Sequence, residues 1–168
     1  MKGKVLLILF FLLLFFRGYS QENKFKALFV YNFTKYIEWP SLSVNENFVI
    51  GVVNNNDLFK ELKPISVNKK INGITVLVKE LTDTDNPDGC HIVVFNSSKK
   101  EYLANLVSQT SNKPVLLISD KSGLCSEGAG ICFIIKNGNL NFEISKNNIS
   151  GHSLKVTSQL FNLGTLVD

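Results

Sequence analysis

Residues that do chemistry are scarce in this chain. Its 168 residues include two histidines, three cysteines, one methionine and one tryptophan. No C-x-x-C, no H-E-x-x-H and no acidic calcium loop occurs, so no metal site is expected. Gly123, Gly128 and Gly130 lack both the G-x-G-x-x-G order and the Lys-Ser/Thr of a phosphate loop. A nucleophile–base pair is missing too. Cys90 and His91 adjoin at the mouth of an apolar run, and neighbours on a strand point to opposite faces. A Cys–His couple needs the two side chains to converge. His152 stands in a polar stretch with only Ser150 and Ser153 beside it. These absences argue against an enzyme; no catalytic residue, metal ligand or cofactor is expected. There is also no internal repeat, no low-complexity linker and no second apolar run long enough to cross a membrane.

What is present begins at the N terminus. Residues 1–20 read MKGKVLLILFFLLLFFRGYS. Lys2 and Lys4 precede a twelve-residue apolar run, 5–16, and Gly18-x-Ser20 offers the small residues of a cleavage site before polar Gln21-Glu22-Asn23. The run is short for a bilayer span. The pattern predicts a cleaved export signal; Arg17, unusual so near the cut, keeps an uncleaved N-terminal anchor as the alternative. No cysteine stands at the cut, so no lipoprotein anchor is suggested. Removing twenty residues from 168 leaves 148, residues 21–168, enough for one domain with its own core. Loss of Lys2, Lys4 and Arg17 lowers the net charge from +4 to +1, which leaves no electrostatic footprint for nucleic acid. The expected location is the periplasm.

Phe25, Leu28, Phe29, Phe33, Tyr36 and Ile37 recur at helical spacing and predict an aromatic helix over residues 23–38, ended by Pro40. Short apolar runs then alternate with helical patterns. Strands are expected at 48–53, 74–79, 91–95 and 115–119. Helices are expected at 57–62, with turn and cap chemistry from Asn54 to Asp57, and at 99–109, capped by Ser97 or Ser98. Buried strands with helices between them indicate an α/β fold, a three-layer sandwich around a mostly parallel sheet.

The last third changes character. Residues 131–136, Asn137-Gly138 and 139–144 form a strong hairpin signal, because Asn-Gly suits a type I′ turn. A two-residue loop pairs Ile135 with Leu140, Phe133 with Phe142 and Ile131 with Ile144 on an apolar face. Cys132 then points to the other face, where the loop carrying Cys125 can fold back. An oxidising compartment favours a Cys125–Cys132 bridge, with Cys90 unpaired; two buried thiols are the alternative. Closing so short a loop contributes roughly 2–3 kcal/mol in the chain-entropy picture. Beyond the hairpin, Leu154 and Val156 alternate like a strand, and Leu160, Phe161 and Leu163 resemble a last helical turn.

In an open parallel sheet the C-terminal strand ends line a common edge, where ligands usually bind. Here those ends read Asn54-Asn55-Asn56-Asp57, Asn96-Ser97-Ser98 and Ser119-Asp120-Lys121. Asn54, Asn56, Ser97 and Asp120 are therefore candidates for a small-ligand cleft, with ordinary helix capping as the plainer explanation.

Taken in order, several segments resemble the YfiR family. KALFVYNFTKYIEWP (26–40) is similar to its opening, an aromatic helix closed by Glu-Trp-Pro. FVIGV (48–52), INGI (71–74), GCHIV (89–93) and KPVLLISD (113–120) resemble its successive strands. The hairpin 130–144 and LKVTSQL (154–160) resemble its end. The resemblance spans nearly all of residues 21–168. It implies a small periplasmic α/β protein, often dimeric, without enzymatic activity. Its best understood members repress an inner-membrane diguanylate cyclase by binding the cyclase's periplasmic part. Cys125 and Cys132 match a family pair, whereas the upstream partner of the cysteine at Cys90 is absent. Where the family has Asn after the Phe-x-Ile of the hairpin, this chain has Ser145. By this reading the partner is a membrane sensor such as a cyclase or a histidine kinase, and the protein is a homodimer. The aromatic helix, through Phe29, Phe33, Tyr36 and Trp39, supplies the contact surface together with the tail. A periplasmic small-molecule binder using the polar strand ends is the competing expectation.

Overall fold

The computed structural model describes residues 17–40, 42 and 46–167. Most of the expected export signal, residues 1–16, lies outside them; residues 17–20 open the first helix. In chain order the elements begin with α1 (Arg17–Phe33), β1 (Ile37–Glu38), β2 (Phe48–Val53) and α2 (Asn56–Asn68). Then come β3 (Lys70–Ile71), β4 (Ile74–Leu81), β5 (Ile92–Phe95), α3 (Lys100–Gln109) and β6 (Leu116–Ser119). A 3₁₀ turn (Cys125–Glu127) leads to β7 (Ile131–Lys136), β8 (Asn139–Ile144), α4 (Lys146–Gly151), β9 (Lys155–Val156), α5 (Ser158–Phe161) and β10 (Thr165–Leu166).

Eight strands form one sheet in the order β10-β8-β7-β6-β5-β2-β4-β3. From β4 to β7 all neighbours are parallel. The strand interiors alternate between two cores. Phe48, Ile50 and Val52 of β2 pack with Val30 and Phe33 of α1 and with Leu58 and Leu62 of α2. Val49 and Val53 point the other way, towards Leu103 and Leu106 of α3. Both faces being covered explains why these strands read as continuous apolar runs. The expected α/β sandwich is thus the observed fold. The hairpin is part of the sheet, not an addition to it, since β7 pairs in parallel with β6.

The hairpin register is as expected: Ile135 faces Leu140, Phe133 faces Phe142 and Cys132 faces Glu143. Asn137 and Gly138 both have positive φ, 54° and 75°, as a type I′ turn requires. The first helix differs from expectation. It ends at Phe33, not Glu38. The Thr34, Lys35 and Tyr36 N–H groups donate to carbonyls three residues back, and the Thr34 hydroxyl also donates to the Tyr31 carbonyl at 2.6 Å. The chain then turns extended, because Ile37 and Glu38 pair antiparallel with Val156 and Lys155. Tertiary pairing, not Pro40, stops the helix. The 57–62 helix runs on to Asn68 through Pro64, and its cap is Asn55, whose Oδ1 accepts from the Leu58 N–H at 3.0 Å. Neither Ser97 nor Ser98 caps α3: the cap position is Lys99, without a side-chain bond. Two short elements of the tail, α4 and β10, have no counterpart in the sequence reading.

Candidate functional site

Two constructions stand out, and both lie on the edge where the parallel strands end or on the loop next to it. The first is the disulfide loop. Cys125 and Cys132 are bonded, with Cα atoms 5.9 Å apart, and both are buried in the α3-side core. The loop needs small residues. Gly128 has φ 128°, and a Cβ on Gly130 would stand 2.8 Å from Ile149. Asn148 of α4 reaches across: its Nδ2 donates to the Cys125 carbonyl at 2.6 Å and to the Ala129 carbonyl at 2.9 Å. Ser145 caps α4 by accepting the Asn148 N–H at 3.2 Å. At the other end of α4, buried His152 places Nδ1 3.1 Å from the Thr110 carbonyl. The disulfide loop, α4 and the end of α3 are thereby fastened together.

The second construction is a polar cluster at the end of β6. Asp120 Oδ1 lies 2.5 Å from Nζ of Lys26, and Asp120 Oδ2 accepts from Asn55 Nδ2 at 3.0 Å. Lys26 is buried, 2.6 Å from Glu22 and 5.8 Å from the Phe133 ring centroid. Burial pulls its pKa down, but hydrogen bonds and charge from Asp120 and Glu22 outweigh that and raise it above the ordinary lysine value. The ammonium therefore stays charged at any physiological pH. The cluster borders a cleft of about 360 Å³ between α1 and the hairpin, with Lys121, Ser122, Ile135 and Leu140 on its walls.

Of the four cleft residues expected from sequence, Asp120 alone lines this space. Asn54 is exposed and donates to Asp83; Asn56 is the exposed first residue of α2. Half-buried Ser97 takes the Lys99 N–H at 3.3 Å. Lys26 and Asn55 complete the cluster, although only Asn55 carried a signal, as one of the polar residues after β2. The aromatic surface also changes. Phe33 and Trp39 lie in the core, Phe33 against Phe142 at 4.8 Å and Trp39 against Phe48 at 5.0 Å. Both side chains are therefore absent from the exposed surface. Phe29 and Tyr36 are half-buried, and over residues 21–33 the exposed apolar side chains of the helix are Phe25 and Leu28.

The histidines serve the fold. His91 Nδ1 accepts the Val49 N–H at 3.1 Å, so its ring is neutral with the proton on Nε2. It stacks on Phe48 at 4.8 Å, while Cys90 lies in the opposite core. Burial holds the His91 pKa below its usual value, with Glu46 opposing, and burial pushes the Cys90 thiol up. Among the described residues no group of three or more His, Cys, Asp or Glu is placed to hold a metal.

The molecule is therefore a single-domain α/β sandwich that carries a disulfide-closed loop beside a buried lysine–aspartate pair. It belongs to the YfiR/HmsC-like family, whose model matches residues 23–165. No curated protein matches it. The family is regulatory rather than catalytic and is periplasmic, and a disulfide fits an oxidising compartment.

Proposed function

We propose that the protein is an exported periplasmic regulator. It modulates a membrane-bound signalling protein, diguanylate cyclase-like or histidine kinase-like, by contact with that protein's periplasmic segment. The observation that carries this reading is the family match over residues 23–165. The contact surface is assigned to the tail at the sheet edge, where Leu163, Leu166 and Val167 stay exposed beside the two-residue strand β10. A homodimer formed through the exposed Leu163, Leu166 and Val167 belongs to the proposal. In-cell cross-linking of a tagged copy followed by mass spectrometry tests it. Capture of one membrane protein with a periplasmic segment and a cytoplasmic signalling domain supports the reading. Capture that persists unchanged in a Leu163→Ser/Leu166→Ser variant sinks the assigned surface.

A second reading, a small-molecule binder, is favoured by one observation: Asp120 and Lys26 meet at an open cleft with one polar wall, Lys121 and Ser122, and one apolar wall, Ile135 and Leu140. A metabolite screen read by melting temperature tests it. A rise that Asp120→Asn abolishes supports the cleft; an undiminished rise places the ligand elsewhere.

A further inference from the structure

Helix α1 buries one stripe and turns the opposite one outward, exposed at its start and half-buried at Tyr31 and Asn32. Gln21, Lys24, Phe25, Leu28, Tyr31 and Asn32 follow one another round that outward side at helical spacing. Lys24 is exposed, and Phe25 and Leu28 keep 48% and 43% of their surface in solvent. Glu22, the one acid of residues 21–33, is turned to the inner flank, where it pairs with Lys26. The adjoining end of α2 continues the pattern. Tyr31 lies between two ammonium groups, Lys35 at 5.3 Å and Lys69 at 5.7 Å from its ring centroid. Its hydroxyl donates to the Lys70 carbonyl at 3.3 Å, which fixes α1 against this end of α2. Lys63 sits 5.1 Å over the Phe59 ring, and Val67 is 82% exposed. Helix α2 carries two acids: Asp57 at its far end, paired with Lys60, and half-buried Glu61 on the flank of the Leu58–Leu62 stripe.

On the α3 side Lys100 pairs with Glu127, and Lys113 pairs with Asp88, both at 2.5 Å. The α1–α2 face thus combines lysines resting on aromatic rings with apolar side chains left in water. Stems lying on rings with charged heads outward suit a bed of phosphates, and the apolar side chains between them suit the acyl boundary beneath. A purely polyanionic partner has no use for Phe25, Leu28 and Val67. We infer that this face is a docking surface for anionic lipid, so that the protein rests on a membrane through α1 and the end of α2. The inference does not depend on the regulator reading. It leaves the tail edge free to meet a membrane protein alongside.

The test is co-sedimentation with vesicles of 30% phosphatidylglycerol in phosphatidylcholine, against pure phosphatidylcholine vesicles, using protein as the producing cell processes it. An N-terminal apolar run, if retained, binds both vesicle types, so the difference between them reports the lysine face. The expected result is binding to the anionic vesicles that falls about thirtyfold for each lysine reversed in Lys24→Glu and Lys69→Glu at low salt, since each reversal changes the charge by two. A Lys79→Glu/Lys99→Glu control, with the same charge change on the opposite face, keeps its binding. Leu28→Ser lowers binding without altering its salt dependence. Equal loss in the two charge-reversed pairs, or no preference for anionic vesicles by the folded protein, overturns the inference. So does binding only to native membranes that protease treatment abolishes, which would make the face a protein-docking site.

Discussion

At the scale of single residues, the bonds that organise this molecule join side chains far apart in sequence. The Lys26 and Asp120 side chains are both buried, and removing Lys26 leaves the Asp120 charge stranded, whereas Lys26 without Asp120 still has Glu22 at 2.6 Å. Lys26→Met is expected to cost about 3 kcal/mol, and Lys26→Met/Asp120→Leu less than the single change, since no buried unpaired charge remains and Glu22 is open to solvent. Urea denaturation of the three proteins checks this. Asn148→Ala leaves two loop carbonyls without their donor and is expected to cost about 1–3 kcal/mol. His91 gives the pH dependence. Its folded pKa lies below its usual 6.5, so the unfolded chain takes up a proton first. Its contribution is complete above about pH 6.5 and is lost as pH falls below that, because burial disfavours the protonated ring. The urea midpoint is expected to drop between pH 7 and 5, and less steeply in His91→Gln. The cysteine pair was legible because seven residues and one strand alternation bring it together. Lys26, Asn55 and Asn148 were not, because their partners lie on other elements and a lysine in a helix or an asparagine in a loop looks like solvated surface.

At the scale of elements, local chemistry was read well where it decides the outcome by itself. The Asn137-Gly138 turn admits one register, and the whole β7–β8 pairing follows. The buried parallel strands were legible from their apolar runs alone. The C-terminal boundary of α1 was not, because the pairing of Ile37 and Glu38 with β9 overrides a helical pattern that continues to Tyr36 and Ile37. Helix α4 (KNNISG) has no amphipathic period at six residues; its Ser145 cap and the anchorage of Asn148 hold it. The disulfide belongs to this scale. Cys132→Ser is expected to cost roughly 2–3 kcal/mol and leave the sheet standing. Hydrogen exchange should then rise in residues 126–130 and in α4, which Asn148 fastens to that loop, ahead of β5 and β6. Uniform acceleration across the sheet would instead make the bridge a global clamp.

For the whole molecule, the two faces and the edges of the sheet have different uses. The α3 side carries the disulfide loop and ion-paired lysines. The α1–α2 side carries lysines on aromatic rings and exposed apolar groups. The tail edge offers an apolar strand end. Family membership supplies the regulatory class, and the proposed contact adds a membrane protein as the thing regulated. If the protein self-associates through β10, sedimentation equilibrium should show a dimer that Leu166→Asp dissociates; a monomer at all concentrations would remove dimerisation from the proposal.

The most direct test is in-cell cross-linking of the C-terminally tagged protein, with captured proteins identified by mass spectrometry and the wild type compared with Leu163→Ser/Leu166→Ser. One membrane protein with a periplasmic segment and a cytoplasmic signalling domain is expected with the wild type and lost from the variant. Self-cross-links alone, from a correctly exported and folded protein, would contradict a regulator that works by contact.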